Sequence, residues 1–400
     1  MKSEPPVTLK DVAAMAGVHP ATASRALNPQ TRLLVSDDTA HRILAAADSL
    51  GYRPNTVARS LRTRRSQTVG VLIPDLTNPL FPPIVRGIED RLAADGYVAL
   101  IGNTDSDDER ERLVFERMRA RHVDGFVFAT AHLHSPLLDE ALAAELPVVL
   151  VNRNAEGYGF PAVSVDNERG MEMAVAHLVS LGHRRIGHIA GPQQVSTGLS
   201  RYRGFLAAMA AHGIEVDPAL VVQASAFSLE EGDRCCRALL AADSGCTAIA
   251  AANDMLAVGC YTALEDVGLA CPADISVVGF NDMPFIDRLR PPLTSVSFPH
   301  YELGAEAGRL ILEQIRGIGE QRSEGTGRTA RREDEVLAVT AAGSGGRDGP
   351  GAPLPNGSGA AQSAATAAGP DGPAEDPAVL YLAPELMVRG STAPPRQRPA

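Results

Sequence analysis

The sequence predicts a small all-α head carrying a helix-turn-helix, followed by a larger α/β body of two parallel-sheet subdomains. Three observations predict it. Between residues 67 and 317, short apolar runs alternate with amphipathic segments, the beat of parallel strands covered by helices. Ahead of them lie three short helical patterns, the first two parted by a glycine. Charge is also split: ten Lys and Arg against five acids give residues 1–65 a charge of +5, leaving −16 on the rest of a chain whose total is −11. A basic head on an acidic body is expected when one module meets phosphate and the other does not. The 400 residues suffice for two or three domains, and 44% hydrophobic content suffices for buried cores. Aromatics make up 4% and Trp is absent, so those cores are built from Ala, Val, Leu and Ile.

The head is read over residues 1–52, with a hinge and linker over 53–66. Thr8 opens the first helix, with Asp11 at capping-box spacing. Leu9, Val12, Ala13 and Ala16 then share one face. Gly17 permits a tight turn, and Val18 fills the space between two helices. A second short helix runs from Pro20 to Leu27, with Pro20 tolerated in the first turn. Its Ala23 and Ala26 allow close approach to the first helix. Ser36 caps a third helix, with Ile43, Leu44, Ala47 and Leu50 inward and Gly51 at its end. In such an arrangement the second helix is the one that enters a major groove. Pro54 forces Arg53 out of helical geometry, so a new element begins at Asn55. It is too short to be stable alone.

The body is read over residues 67–317. Strands are expected at Thr68–Ile73, Tyr97–Gly102, Val123–Ala129, Pro147–Val151, Arg185–Ala190, Thr247–Ala251 and Ile275–Gly279. Helices alternate with them: from Asn78-Pro79 to near Gly96, a charged one through Arg119, then Asp166 to Gly182, Thr197 to His212 and Asn253 to Val267. Such folds bind ligands at the C-terminal ends of the strands, in a cleft between subdomains. Residues 318–377 are rich in Gly, Ala, Pro and Ser and nearly devoid of large apolar side chains, so a disordered low-complexity insertion is expected there. Residues 378–400 supply a closing strand of the body and a tail.

Several function classes find no support. The five cysteines (Cys235, Cys236, Cys246, Cys260, Cys271) form no CxxC pair and no zinc spacing with His, so they read as small buried apolar residues. No metal or cofactor is expected. No apolar run opens the chain or is long enough to span a bilayer, so a cytoplasmic protein is expected. No GxGxxG leads a strand into a helix and no GxxxxGK[ST] exists, and the histidines are dispersed, so no catalytic residue is assigned.

The residues themselves say more. Val7-Thr8-Leu9-Lys10-Asp11-Val12-Ala13, Ala16-Gly17-Val18, Thr22-Ala23-Ser24-Arg25-Ala26-Leu27-Asn28 and Gly51-Tyr52-Arg53-Pro54-Asn55 closely resemble the head of the lactose-repressor (LacI/GalR) family. The resemblance implies that Pro20, Ala21 and Arg25 face base edges, with Arg25 able to hold a guanine bidentately. It implies that Thr8, Thr22, Ser24 and Asn28 contact phosphate or helix-end amides, which position without specifying. His19 departs from the family's usual Ser cap, and the loop from Asn28 to Val35 is about two residues longer than usual. Its tip, Arg32, either reaches the DNA backbone or is a solvated charge. Asn55 to Arg62 resembles the family's hinge helix, with Ala58 at the close approach. Leu61 is then a wedge in the minor groove, the alternative being a side chain packed on the body.

The likeness continues through the body, in Ile73-Pro74-Asp75, Val123-Asp124-Gly125, Val165-Asp166-Asn167, Leu181-Gly182-His183, Ile189-Ala190-Gly191-Pro192, Arg201-Tyr202-Arg203-Gly204-Phe205 and Val278-Gly279-Phe280-Asn281-Asp282. It implies a periplasmic-binding-protein-like fold and an effector held by Asn78, Phe81, Asn152, Arg153, Arg201, Phe227, Asn253, Asp254 and Asn281. Amides and carboxylates suit sugar hydroxyls, and an aromatic can cover a ring face. Asp166 and Asn253 read equally as helix caps, and Phe227 as core. Asn281 stands where the family most often has Asp. The expectation is a regulator, more often a repressor, that binds a pseudo-palindromic double-stranded operator as a homodimer under control of a small molecule such as a sugar. A solute-binding protein without DNA function is the alternative.

Overall fold

The computed structural model describes residues 7–28, 31–53, 65–242, 245–317 and 379–396. They fall into two compact units, 1–66 and 67–400. Asn55, Ala58 and Leu61, expected to form a hinge, and the 318–377 segment lie outside the described residues.

In the first unit, α1 (Leu9–Met15), α2 (Pro20–Ala26) and α3 (Asp37–Ser49) pack around Val12, Ala13, Ala23, Ala26, Ala40 and Ile43. The Thr8 N–H and hydroxyl both donate to Asp11 Oδ2, at 2.8 and 2.7 Å, and hold that carboxyl below its usual pKa. Gly17 adopts a φ of +65°, which lets the Val18 N–H turn back to Ala13 O at 2.9 Å. His19, despite its departure from Ser, still caps α2: its Nδ1 accepts from the Ala21 N–H at 3.2 Å. The Arg32 guanidinium donates to Val35 O at 3.2 Å and pairs with Asp37 at 3.0 Å, bracing the start of α3. Leu44 departs from expectation. It is 45% exposed, because one step past Ile43 turns a side chain about 100° away from the core face.

The second unit holds two six-stranded sheets. The first contains β1 (Thr68–Ile73), β2 (Val98–Asn103), β3 (Gly125–Phe128), β4 (Val148–Val151) and β5 (Ala162–Val165), joined at its edge by Val379–Leu382. The second contains β6 (Ile186–Ala190), β7 (Val221–Gln223), β8 (Ala248–Ala251), β9 (Ser276–Asn281) and β10 (Thr294–Ser297), joined by Glu385–Met387. With those late segments as β11 and β12, the orders are β11-β5-β4-β3-β1-β2 and β12-β10-β9-β8-β6-β7. The pairings are parallel except β10 with β12. The expected single closing strand is therefore two short ones, one on each sheet. Beyond them the Ser391 hydroxyl donates to Val277 O at 2.6 Å and accepts from the Thr294 N–H at 2.8 Å, sewing the chain end to the second sheet.

Helices cover both sheets: α4 (Phe81–Ala94), α5 (Asp108–Ala120), α6 (Pro136–Ala143), α7 (Asn167–Ser180), α8 (Ser196–Ala211), α9 (Leu229–Ala241), α10 (Asp254–Asp266) and α11 over 300–317. In each sheet the crossovers run outward in opposite directions from two neighbouring strands, β1 and β3 in the first, β6 and β8 in the second. A crevice opens beyond the C-terminal ends of such strand pairs. Four cysteines are buried and Cys271 is half-buried, all as free thiols.

Candidate functional site

The two crevices belong to one cavity of about 610 Å³. The turn after β1 brings Asp75, Asn78 and, at the start of α4, Phe81. The segment after β3 brings His132, and that after β4 brings Asn152 and Arg153. From the second sheet come Thr197 after β6, Phe227 after β7, Asn253 after β8 and Asn281 at the end of β9. Arg201 reaches in from α8. Strand ends converge here because parallel strands all finish on the same side.

Asn152 sits at φ +64° and Asn281 at +114°, both in the region that disfavours side chains other than Asn, Asp and Gly. Asn281 is held in place from two sides. Its Oδ1 accepts from Arg201 Nη2 at 3.1 Å, and its carbonyl bonds His300 Nε2 at 2.7 Å. Strain kept at such a position marks a site whose geometry the surrounding fold imposes.

Arg201 is 2% exposed. Its Nε donates to Asn167 Oδ1 at 2.8 Å and its Nη1 to Ala252 O at 2.7 Å, while the guanidinium stacks on Phe280 at 3.8 Å. Arg153 donates Nη1 to Thr130 O at 2.9 Å. Burial brings the Arg153 pKa down to about 10 and the Arg201 pKa down to about 9, the latter with Asp254 opposing and Arg153 adding to the shift. Burial also lowers the His132 pKa, with Arg153 contributing.

Four buried side-chain atoms among the described residues lack a hydrogen-bond partner: Asn152 Oδ1, Arg153 Nε, Thr197 Oγ1 and His188 Nε2. The first three belong to residues lining this cavity. Buried polar groups are rarely left unpaired, so three around one cavity point to a polar ligand.

Eight of the nine residues expected to hold an effector line the cavity; Asp254 does not. It is fully buried, and its carboxylate accepts from the Ser295 hydroxyl at 2.5 Å and the Met283 N–H at 2.8 Å. Asn253 does both jobs open to it: Oδ1 caps α10 through the Leu256 N–H at 3.0 Å, yet the residue faces the cavity. Phe227 is likewise both wall and packing partner of the core. Asp166 caps α7 through the Arg169 N–H. Asp75, His132 and Thr197 also line the cavity, and Asn167 orients Arg201. Asn167 is a polar residue in a helix first turn, and only its position facing Arg201 gives it a role.

In the head, Ala21 and Arg25 on α2 are exposed and Pro20 half-exposed, forming one outward face. Thr8 is exposed beside Asp11, and Thr22, Ser24 and Asn28 are half-buried on the flanks of α2.

A helix-turn-helix unit joined to a two-sheet body with a polar cleft defines a ligand-responsive DNA-binding regulator. Residues 8–55 match the bacterial regulatory proteins of the lacI family, and residues 175–333 match a periplasmic binding protein-like domain. The HTH-type transcriptional repressor CytR of Escherichia coli (strain K12) is 34% identical over 317 residues, 79% of this chain and 92% of that protein. The ribose operon repressor of Bacillus subtilis (strain 168) is 34% identical over 309 residues, 77% of this chain and 92% of that repressor. Among solved structures, the lac repressor dimer bound to operator and the anti-inducer ONPF superposes with a TM-score of 0.67 at 28% identity, covering 78% of this chain and 94% of that one. The transcriptional regulator CelR in complex with cellobiose does so with a TM-score of 0.63 at 28% identity, covering 96% and 99%. The chain belongs to the lacI family of bacterial regulatory proteins: it is a DNA-binding transcription regulator with an effector-binding body.

Proposed function

We propose that the chain is a repressor that grips a pseudo-palindromic operator as a homodimer and that a small hydroxylated metabolite in the cleft sets its affinity for DNA. In this reading Arg25, Pro20 and Ala21 read base edges, and Thr8, Thr22, Ser24 and Asn28 fix the register on phosphate. Asn55, Ala58 and Leu61 form the hinge, with Leu61 wedged at the operator centre. A ligand that favours one arrangement of the two subdomains changes the hinge spacing, and DNA in turn changes affinity for the ligand by the same factor. The protein acts in the cytoplasm, with no cofactor, metal or catalytic step.

The observation that carries the effector reading is the trio of unpartnered buried atoms of Asn152, Arg153 and Thr197 around one cavity. The ribose operon repressors among the relatives, and the neighbours solved with cellobiose and with bound ribose, support a sugar-like ligand. A solute-binding protein without DNA function would account for the body and leave the lacI-family head at residues 8–55 without a task.

The test is selection of duplexes from a random pool by the full-length protein, with and without a panel of sugars and their derivatives. One inverted repeat should be enriched, with a yield that changes when a panel member occupies the cleft. Arg25→Ala should relax preference at one base pair per half-site by about 1–3 kcal/mol. Enrichment of nothing, or full discrimination retained by the variant, contradicts the reading.

A further inference from the structure

We propose that the cleft is built for an anion: a hydroxylated small molecule whose carboxylate or phosphate is received between Arg153 and Arg201. The inference rests on the effector reading and deepens it. Both guanidiniums line the same cavity, and both are more than nine-tenths buried, at 8% and 2% exposure. Among the described residues neither has a carboxylate at ion-pair distance. Arg201 spends three donors on neutral acceptors, the side chains of Asn167 and Asn281 and the carbonyl of Ala252. A guanidinium has five to give. Arg153 leaves its Nε unpaired.

The carboxylates that act on these cations are engaged elsewhere. Asp254 is taken by Ser295 and Met283, and Glu111 by the Thr130 hydroxyl. Burial raises the pKa of both acids, that of Asp254 to about 7. The acids on the cavity wall are occupied too, Asp75 by Thr77 and Asp105 by Asn103 and Arg110. A buried cation without a hydrogen-bonded counter-charge is costly, and removing that cost is a source of affinity. A neutral sugar brings acceptors but no charge. An oxyanion brings both, and its hydroxyls can meet Asn152 Oδ1 and Thr197 Oγ1. Carboxylate and phosphate share this chemistry.

Calorimetric titration of the full-length protein with matched sets at fixed ionic strength isolates the charge: glucose, gluconate and glucose 6-phosphate, then ribose, ribonate and ribose 5-phosphate. In at least one set an anionic member should bind about tenfold or more tightly than its neutral parent, and the two anionic arms tell carboxylate from phosphate. Asn281→Asp keeps the shape of the side chain and gives Arg201 an internal counter-charge, so the anion's advantage should fall about tenfold or more. Arg153→Gln should lower it in the same direction, with circular dichroism and a thermal melt reporting that both variants fold. Equal or tighter binding of the neutral parents, binding of no member of either set, or an undiminished preference in both variants overturns the proposal. The effector reading fails on a different result: a ligand seated in the cleft that leaves operator affinity unchanged.

Discussion

Asn253 and Asp254 are adjacent and chemically alike, yet the fold gives them different work. Asn253 follows β8 in an extended conformation and faces the cavity, while Asp254 begins α10 and turns into the second subdomain. Sequence shows two groups able to hold hydroxyls; which of them faces the cleft depends on where the strand ends and the helix begins. Gly279 makes the inward placement possible, since a Cβ there would overlap Asp254 Oδ1. Burial raises the Asp254 pKa to about 7, with the Ser295 and Met283 hydrogen bonds pulling it back. An acid whose folded pKa exceeds its unfolded one stabilises the fold most when protonated, so its contribution falls as pH rises from about 4 through about 7. Asp254→Asn keeps an acceptor for Met283 and can donate to Ser295. Between about pH 5 and about pH 8, the wild type should therefore lose more melting temperature than this variant. Parallel pH curves for the two proteins would exclude the effect. The family resemblance names Arg201, but its neutral partners Asn167, Ala252 and Asn281 come from three distant parts of the chain.

Short buried strands are legible where the apolar run is unbroken, as in β3, β4 and β8. In β5 the run is broken by Ser164, and in β10 by Thr294, Ser295 and Ser297, so neither reads as a strand. The helix α9 does carry an apolar face, Gly232, Cys235, Cys236 and Leu239 at helical spacing, and is a further element to set beside the expected ones. The end of the body reads as one strand, since nothing in Leu382-Ala383-Pro384-Glu385 announces a change of sheet. The packing of α4 against α11 is also invisible in sequence. The two helices cross with Gly87 and Gly304 at the contact, where a Cβ on either would overlap the other's backbone at Tyr301 or Ile84. Gly304→Val should force them apart and cost about 1–3 kcal/mol or more of body stability. A thermal melt of the variant that matches the wild type would mean the crossing is loose.

At the scale of the molecule, the split of charge between residues 1–65 and the rest was the most informative feature of composition. The whole-chain charge of −11 taken alone argues against nucleic acid, and only its position along the chain reverses that inference. The two compact units, 1–66 and 67–400, divide the chain at the same place where the charge changes sign. If the head supplies the grip on DNA, affinity is mostly counterion release from phosphate, and the acidic body contributes none of it. The measurement that tests this most directly is an equilibrium titration of the selected duplex with the full chain and with residues 67–400, across a range of salt. For six to ten phosphate contacts per dimer, the full chain should lose about 10³–10⁵ of its affinity between about 50 and about 200 mM salt. Residues 67–400 should leave the duplex unbound while still taking up the cleft ligand. Comparable duplex binding by residues 67–400, or a full-chain affinity indifferent to salt, would contradict the account.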